Sequence, residues 1–371
     1  MSEKGYRVFS VPEIPTMVVV AGGMILMSKF NTEERIHFQS LLMRFQMYAE
    51  DYFTKLAEMS KSPSVVLCDR GVVDPYAYVS KDEFQAIMDE EGWSWVTLRD
   101  RRYDRAIFLS SAACGAEDYY TLDNNVARSE GIEVARHLNQ RTLEAWTGHP
   151  HLTIVANNPK ETFDDKINAA VKAVEKTVGL EQVNVSYEKF LLKEPVFPAD
   201  LKVEYSEIEE AFLVNEDQRY EEDKIKRRGQ NNAYTYQRKY RTKKDQNGDC
   251  AQEIRKPLTS LQYVTLKEQS LDQNYNVVQR RRANFVYNNI SFAIDIYPEI
   301  NGEKNVHLLR FNSQVEKPES LIPEFLEYVK NVKKDKSFGL REISKKKWCF
   351  VWDIYYCIVL KASIFILLGF E

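Results

Sequence analysis

Three short apolar runs in the first half of the chain, 65–68, 106–109 and 152–156, are each bounded by turn or polar signals, the pattern of buried parallel strands. Helical periodicity fills the spaces around them. It is clearest over 31–59, where Ile36, Leu41, Phe45, Tyr48, Tyr52 and Leu56 recur at helical spacing and Asn31 with Glu34 can close a capping box. A second helix is predicted over 163–178, with Asp164 and Asp165 at its start and Gly179 just beyond its end. Strands alternating with helices predict a doubly wound α/β domain over 1–180.

From about residue 183 the period changes. The runs 201–208, 235–242, 277–287 and 291–297 alternate in twos, which predicts a second, antiparallel, largely β domain over 201–345. Pro195 and Pro198 mark 181–200 as the linker, and 318–330 is predicted as a closing helix. Residues 346–371 form an apolar tail. Within it 348–370 is interrupted only by Asp353 and Lys361 and follows Lys345, Lys346 and Lys347, so a C-terminal membrane anchor with the main body in the cytoplasm is one expectation. An alternative or misread terminal exon is the other.

A formal charge of −4 gives no overall pull toward nucleic acid, and no nucleic-acid partner is expected; any anion site must be a local cluster of cations. The five cysteines, Cys68, Cys114, Cys250, Cys349 and Cys357, show no C-x-x-C spacing, which suits reduced thiols in the cytoplasm. The N-terminus lacks a basic leader followed by a long apolar region, so no signal peptide is expected. His149 and His151 flank Pro150 without a third ligand, and no transition-metal site is predicted.

The first candidate chemistry lies after the run 65–68, which ends in Asp69-Arg70-Gly71. An acid at the carboxyl end of a buried parallel strand can hold magnesium near a phosphate, or can simply cap the following turn. Arg128 and Arg136 stand eight apart on one predicted helix face, either as a phosphate clamp or as a solvated basic face.

The segments GYRVFSVPE, VVLCDRGVVDPYAY, YDRAIFLSSA, NNVARSEGIEVARHLNQRTLEAW and HPHLTIVANN together resemble the NadR-type P-loop, kinase-like domain of the TRPL translocation defect protein family. The resemblance implies that Asp69 is the magnesium-side acid, Glu13 the acid after the second strand, Arg128 and Arg136 part of a lid, and Asn157 a neighbour of the base pocket. It implies GTP as the nucleotide. Triphosphate binding needs G-x-x-x-x-G-K-S/T between a strand and a helix N-terminus, yet no Gly in this sequence is followed by Lys. The match starts at the family's second strand. The expected fold is therefore an incomplete P-loop parallel sheet, with GTP bound only in forms carrying the loop.

The strongest charge signal lies between Lys224 and Lys244, with nine Lys or Arg and no Asp or Glu. Two-residue alternation puts Lys224 with Lys226, Lys239 with Arg241, and Arg280 with Arg282 on common strand faces, which can enclose an anion or can form a lysine-rich solvated surface. The runs EIEEAFLV, DKIKRRGQNNAYTYQRKYR and VVQRRRANFVYNNISFAIDIYP resemble a CYTH domain, the β-tunnel fold of certain triphosphatases. Its E-x-E-x-K signature implies Glu207 and Glu209 as metal holders, with Ala211 in place of the lysine and Ala293 preceding Asp295.

Together these resemblances imply a trafficking factor, peripheral at membranes. Its partners would be phosphoinositide or phosphatidic-acid head groups, or polyphosphate, together with a transported cargo. The alternatives are an enzyme, either a nucleoside-type kinase using Glu13 and Asp69 or a triphosphatase using Glu207 and Glu209, and an inactive isoform.

Overall fold

The computed structural model describes residues 1–22, 29–119, 131–180, 187–217, 219–242, 253–313 and 315–346. Arg128 and the apolar tail run 348–370 lie outside them. Among the described residues no helix is long and apolar enough to cross a membrane.

The fold class is the one expected, α/β with small parallel sheets followed by an antiparallel sheet. In the first half, β1 (Arg7–Val11) pairs in parallel with β2 (Ser64–Cys68), and β3 (Ala106–Leu109) with β4 (Leu152–Val155). These are two separate two-stranded sheets. Leu67 of β2 and Leu109 of β3 are exposed, although a parallel strand covered on both faces buries such side chains.

Helix α1 (Ile14–Val20) follows β1, and α2 (Thr32–Met59) carries the expected capping box, with the Asn31 side chain accepting from the Glu34 N–H and the Glu34 carboxylate from the Asn31 N–H. Helix α3 (Lys81–Glu91) is capped likewise by Ser80 and Glu83. Helices α4 (Ile132–Trp146) and α5 (Phe163–Thr177) complete the domain. Its core gathers Met43 of α2, Val72, Tyr76, Phe84, Ala106 of β3 and Trp146 of α4.

The second half is a nine-stranded sheet in the order β13-β5-β12-β11-β10-β6-β7-β8-β9. Its strands are β5 (Tyr187–Leu192), β6 (Val203–Phe212), β7 (Tyr220–Gln230), β8 (Ala233–Thr242), β9 (Glu253–Leu258), β10 (Val278–Tyr287), β11 (Ile290–Ile300), β12 (Glu303–Asn312) and β13 (Tyr328–Asn331). Helix α6 (Ser260–Gln269) packs against β7, β8 and β9, and a short α7 (Leu340–Ser344) packs on β10. Left-handed Asn pairs close the tight hairpins: Asn231 with Asn232, and Asn288 with Asn289.

Two sequence expectations fail here. The stretch read as a linker supplies β5, which pairs with both β12 and β13. The closing helix over 318–330 is instead a 3-10 turn, Pro318–Leu321, followed by loop and by β13. Pro323 has no N–H and holds Ile322 in extended backbone, φ −66° and ψ 127°, so the turn cannot propagate as a helix.

The halves meet across a buried polar seam. A π-helical turn, Val96–Asp100, places Arg99 and Asp100 side by side in the interior. Asp100 accepts from Arg99 Nε at 2.7 Å and from Arg228 Nη1 of β7 at 2.8 Å, while Arg228 Nη2 donates to the Gly148 carbonyl. Arg99 also lies 3.6 Å from Glu204 of β6. Gly148 has φ +99°, and a Cβ there would stand 2.6 Å from Glu204 Cγ, so both backbone and space require glycine.

Next to the seam, His149 Nε2 donates to the Tyr103 carbonyl and Nδ1 accepts from the His151 N–H. Both ring nitrogens are used by the neutral ring, and burial pushes its pKa from 6.5 down to about 4. The folded state thus binds fewer protons than the unfolded chain between these values. The His149 contribution is complete above pH 6.5 and is lost as pH falls toward about 4, by roughly 3 kcal/mol at about 1.36 kcal/mol per unit. Urea unfolding from pH 7 to 4 should show this loss in the parent and a flatter profile in His149→Gln; parallel profiles would dismiss the assignment.

Candidate anion-binding site

Residues directly opposite in an antiparallel ladder project to the same side of the sheet. The register puts Lys224 opposite Lys239, Lys226 opposite both Glu210 and Gln237, and Arg282 opposite both Ser206 and Asp295. Arg280 lies opposite Ile208, and Arg310 opposite Lys189. One face of the sheet therefore carries Lys189, Lys224, Lys226, Lys239, Arg280, Arg282 and Arg310, with Glu210 and Asp295 among them. Arg241 shares this side but is exposed, 3.8 Å from Glu221.

Two carboxylates organise the cations. Asp295, 1% exposed, accepts a fork from Arg282, Nε at 2.6 Å and Nη2 at 2.8 Å, and lies 3.2 Å from Arg280 Nε and 3.5 Å from Arg310 Nη1. Glu210 accepts from Arg280 Nη2 at 2.6 Å. Burial alone would raise both carboxyl pKa values. The guanidiniums outweigh it: Arg282 and then Arg280 hold Asp295 well below the usual carboxylate range, and Arg280, followed by Lys226, Lys239 and Lys224, does the same for Glu210. Arg280 itself is 6% exposed, and among the described residues its Nη1 has no hydrogen-bond partner. Lys189 donates to the Phe338 carbonyl, and burial together with Arg310 pushes it down to about 8.

The acids expected to hold metal are turned away. Glu207 and Glu209 have the opposite parity to Glu210 on β6 and lie on the other face of the sheet. Glu207 accepts from Tyr234 Oη, while Glu209 is enclosed by Tyr263 Oη at 2.8 Å, Lys267 Nζ at 2.7 Å and Gln279 Nε2 at 3.1 Å. Burial opposes the charge on Glu209, but these donors hold its pKa below the ordinary value. Its role is to fasten α6 to the sheet. Among the described residues no group of three or more His, Cys, Asp or Glu is arranged to hold a metal ion.

The first-domain candidates are dispersed in structural bonds. Asp69 stands exposed at the end of β2, whereas Asp74 is the buried acid there, accepting from Trp146 Nε1 at 2.6 Å and from the Gly71 N–H. Glu13 pairs with Arg70 at 3.1 Å and accepts from Thr16. Arg136 is taken up by Glu133, Glu117 and the Ala113 carbonyl. Asn157 donates to the carbonyls of Ser111 and Cys114 and accepts from Lys166, which fixes the loop after β3. A shallow cavity of about 670 Å³ on this domain, lined by Arg35, Lys81, Glu83, His137 and Arg141 among others, includes none of them.

Residues 1–165 match the AAA domain family model. The match spans less than half of the chain. No curated protein matches the chain. Among solved structures, an inorganic triphosphatase, NE1496, is similar at 15% identity over 44% of this chain and 96% of its own, with TM-score 0.32. A second structure, described as the hypothetical protein NE1496, gives 16%, 43%, 95% and 0.30. The PH1819 protein from Pyrococcus horikoshii OT3 gives 13%, 44%, 91% and 0.25. Likeness at this level says nothing about what this chain does.

Sequence reading missed Glu210, Asp295, Lys189 and Arg310 as members of the cationic face. Parity on β6 was the available signal for Glu210, and the alternation Arg280-x-Arg282 facing Asp295 was the one for β11. Lys189 was hidden in the presumed linker.

Proposed function

We propose that this chain binds a phosphorylated anion on the cationic face of its C-terminal sheet, as a binder and not as a hydrolase. The observation that carries the reading is Arg280: a guanidinium almost wholly removed from water, pinned by Glu210 and Asp295, with one Nη left without an acceptor. A buried donor in that state costs about 1–3 kcal/mol, which an incoming oxyanion recovers. A solvated lysine surface has no use for such a group. The triphosphatase alternative is disfavoured because Glu207 and Glu209 face away, and the acids that do face the cations are held by arginine.

The ligand chemistry is a clustered phosphate, carried either by a phosphoinositide or phosphatidic-acid head group or by free polyphosphate. A membrane-trafficking role in the manner of the TRPL translocation defect family, with GTP bound in forms that carry a phosphate-binding loop, is the wider setting we infer from the sequence resemblance.

Lys226→Gln combined with Lys239→Gln should weaken tripolyphosphate binding tenfold or more by calorimetry, since charge-assisted bonds contribute about 1.5–3 kcal/mol each. Exposed Lys334→Gln with Lys336→Gln should change it little. Flotation with vesicles containing or lacking phosphoinositide separates the lipid from the soluble source. Equal losses in both double variants, with binding abolished by modest salt, would reduce the site to a diffuse basic surface.

A further inference from the structure

Helix α2 carries a row of apolar side chains on its outer side. The inner side, packed on the first domain, holds Gln39, Ser40, Gln46 and Glu50 in the interior beside Leu42 and Met43, with Gln46 donating to Glu50 at 2.9 Å. The outer row is Leu41, Phe45, Tyr48, Tyr52 and Met59, between 41% and 75% exposed. Single exposed apolar residues are ordinary, but these five are spaced four, three, four and seven apart, which on a helix makes one straight line.

That spacing is the seam of a two-helix coil, on a helix of 28 residues that is about 42 Å long at 1.5 Å per residue. Tyr48 and Tyr52 stack with ring centroids 6.5 Å apart, so the middle of the row is an ordered aromatic platform. The charges decide what fits it. Arg35, Arg44, Glu50 and Asp51 are answered within the chain, by Glu83, Glu91 and Arg102. At the ends of the row stand exposed acids on the N-terminal side, Glu33 and Glu34, and exposed bases on the other, Lys55 and Lys61. Glu58 lies about a quarter turn away from the row.

We propose that α2 is the contact helix of a homodimer, paired antiparallel with α2 of a second copy so that Phe45 of each meets Tyr48 of the other and Leu41 meets Tyr52. This direction brings Glu33 and Glu34 of one copy to the end that carries Lys55 and Lys61 of the other. A parallel pair would set acid against acid and base against base. Opposed helix dipoles favour the same choice. The contact is isologous, the same surface on both copies, so association closes at two. One helix face supplies less than the roughly 800 Å² per partner of a standard stable interface, so the dimer should be weak, with a dissociation constant of about 10–100 µM.

The test is sedimentation equilibrium of the full chain from low micromolar to several hundred micromolar. The parent should pass from monomer to dimer and no further. Tyr48→Lys with Tyr52→Lys, both at exposed positions, should weaken the dimer at least tenfold, and Leu261→Lys, equally exposed on α6, should leave it unchanged. Cross-linking with a zero-length carbodiimide reads the direction. Glu34 and Lys55 of one helix are about 31 Å apart along its axis, so an amide between them can form only between copies, and it should appear in the dimer and fade in the Tyr48, Tyr52 variant. A dimer that the double variant leaves intact overturns the proposal, as does one that never joins Glu33 or Glu34 to Lys55 or Lys61. A monomer at every concentration overturns it too, and Tyr48 and Tyr52 shielded from hydroxyl-radical footprinting in that monomer would give the row to another segment of the same chain.

Discussion

Arg280→Met should lower the unfolding free energy by about 3–5 kcal/mol in urea titration at pH 7, the range for removing one partner of a buried ion pair. The cause is the carboxylates left behind: Glu210 loses its 2.6 Å donor, and Asp295 keeps Arg282 but loses a guanidinium at 3.2 Å. Adding Glu210→Gln to Arg280→Met should recover part of the loss, because the remaining uncompensated charge goes with it. The pH profile gives a second readout. Both carboxyls are held below their ordinary values of 4.5 and 3.8, so their contribution is present above those values and is lost as pH falls beneath them. In Arg280→Met that acid loss should shrink, because the folded-state carboxyl pKa values move back toward those ordinary values. A change under about 1 kcal/mol would mean that water already solvates these carboxylates.

Asp100→Ala should be comparably severe, about 3–5 kcal/mol, for the opposite reason. Arg99, 2% exposed, and Arg228, 4% exposed, both rely on Asp100, at 2.7 Å and 2.8 Å. Without it two guanidiniums remain in the seam with Glu204 and a few carbonyls as acceptors. Denaturation followed by circular dichroism should show the loss, and limited proteolysis should show earlier cutting of the variant than of the parent. A variant as stable and protease-resistant as the parent would show that the halves are held by other contacts.

Much of the fold was legible because its signals are local. The runs 106–109 and 152–156 appear as β3 and β4 within one residue, and the Asn31 and Glu34 capping box starts α2 where side-chain chemistry required. The site was less legible because it depends on partners distant in the chain. Glu207, Glu209 and Glu210 put acids on both faces of one strand, and only pairing with Lys226 and stacking of α6 on the other side decide which face is which. The cations at 224, 226, 239, 280 and 282 were visible through alternation alone. What alternation does not show is that Arg280 and Arg282 are already answered by Glu210 and Asp295, so that replacing them tests stability as much as binding. In the first domain the sequence singled out Asp69, yet burial falls on Asp74 five residues later, which Trp146 holds from another helix.

The placement of β5 also sets the order of folding. Made before every other strand of its sheet, it belongs between β12 and β13, and its partners run from residue 307 to residue 331. On the ribosome, Phe190 and Leu192 must therefore wait, apolar and without ladder partners, while more than a hundred residues are added. The hairpins β6 to β8 and β10 to β12 can form early, being close in sequence, but the sheet is completed only after the final strand emerges. Chaperone dependence and aggregation during synthesis should accordingly concentrate on this one waiting strand.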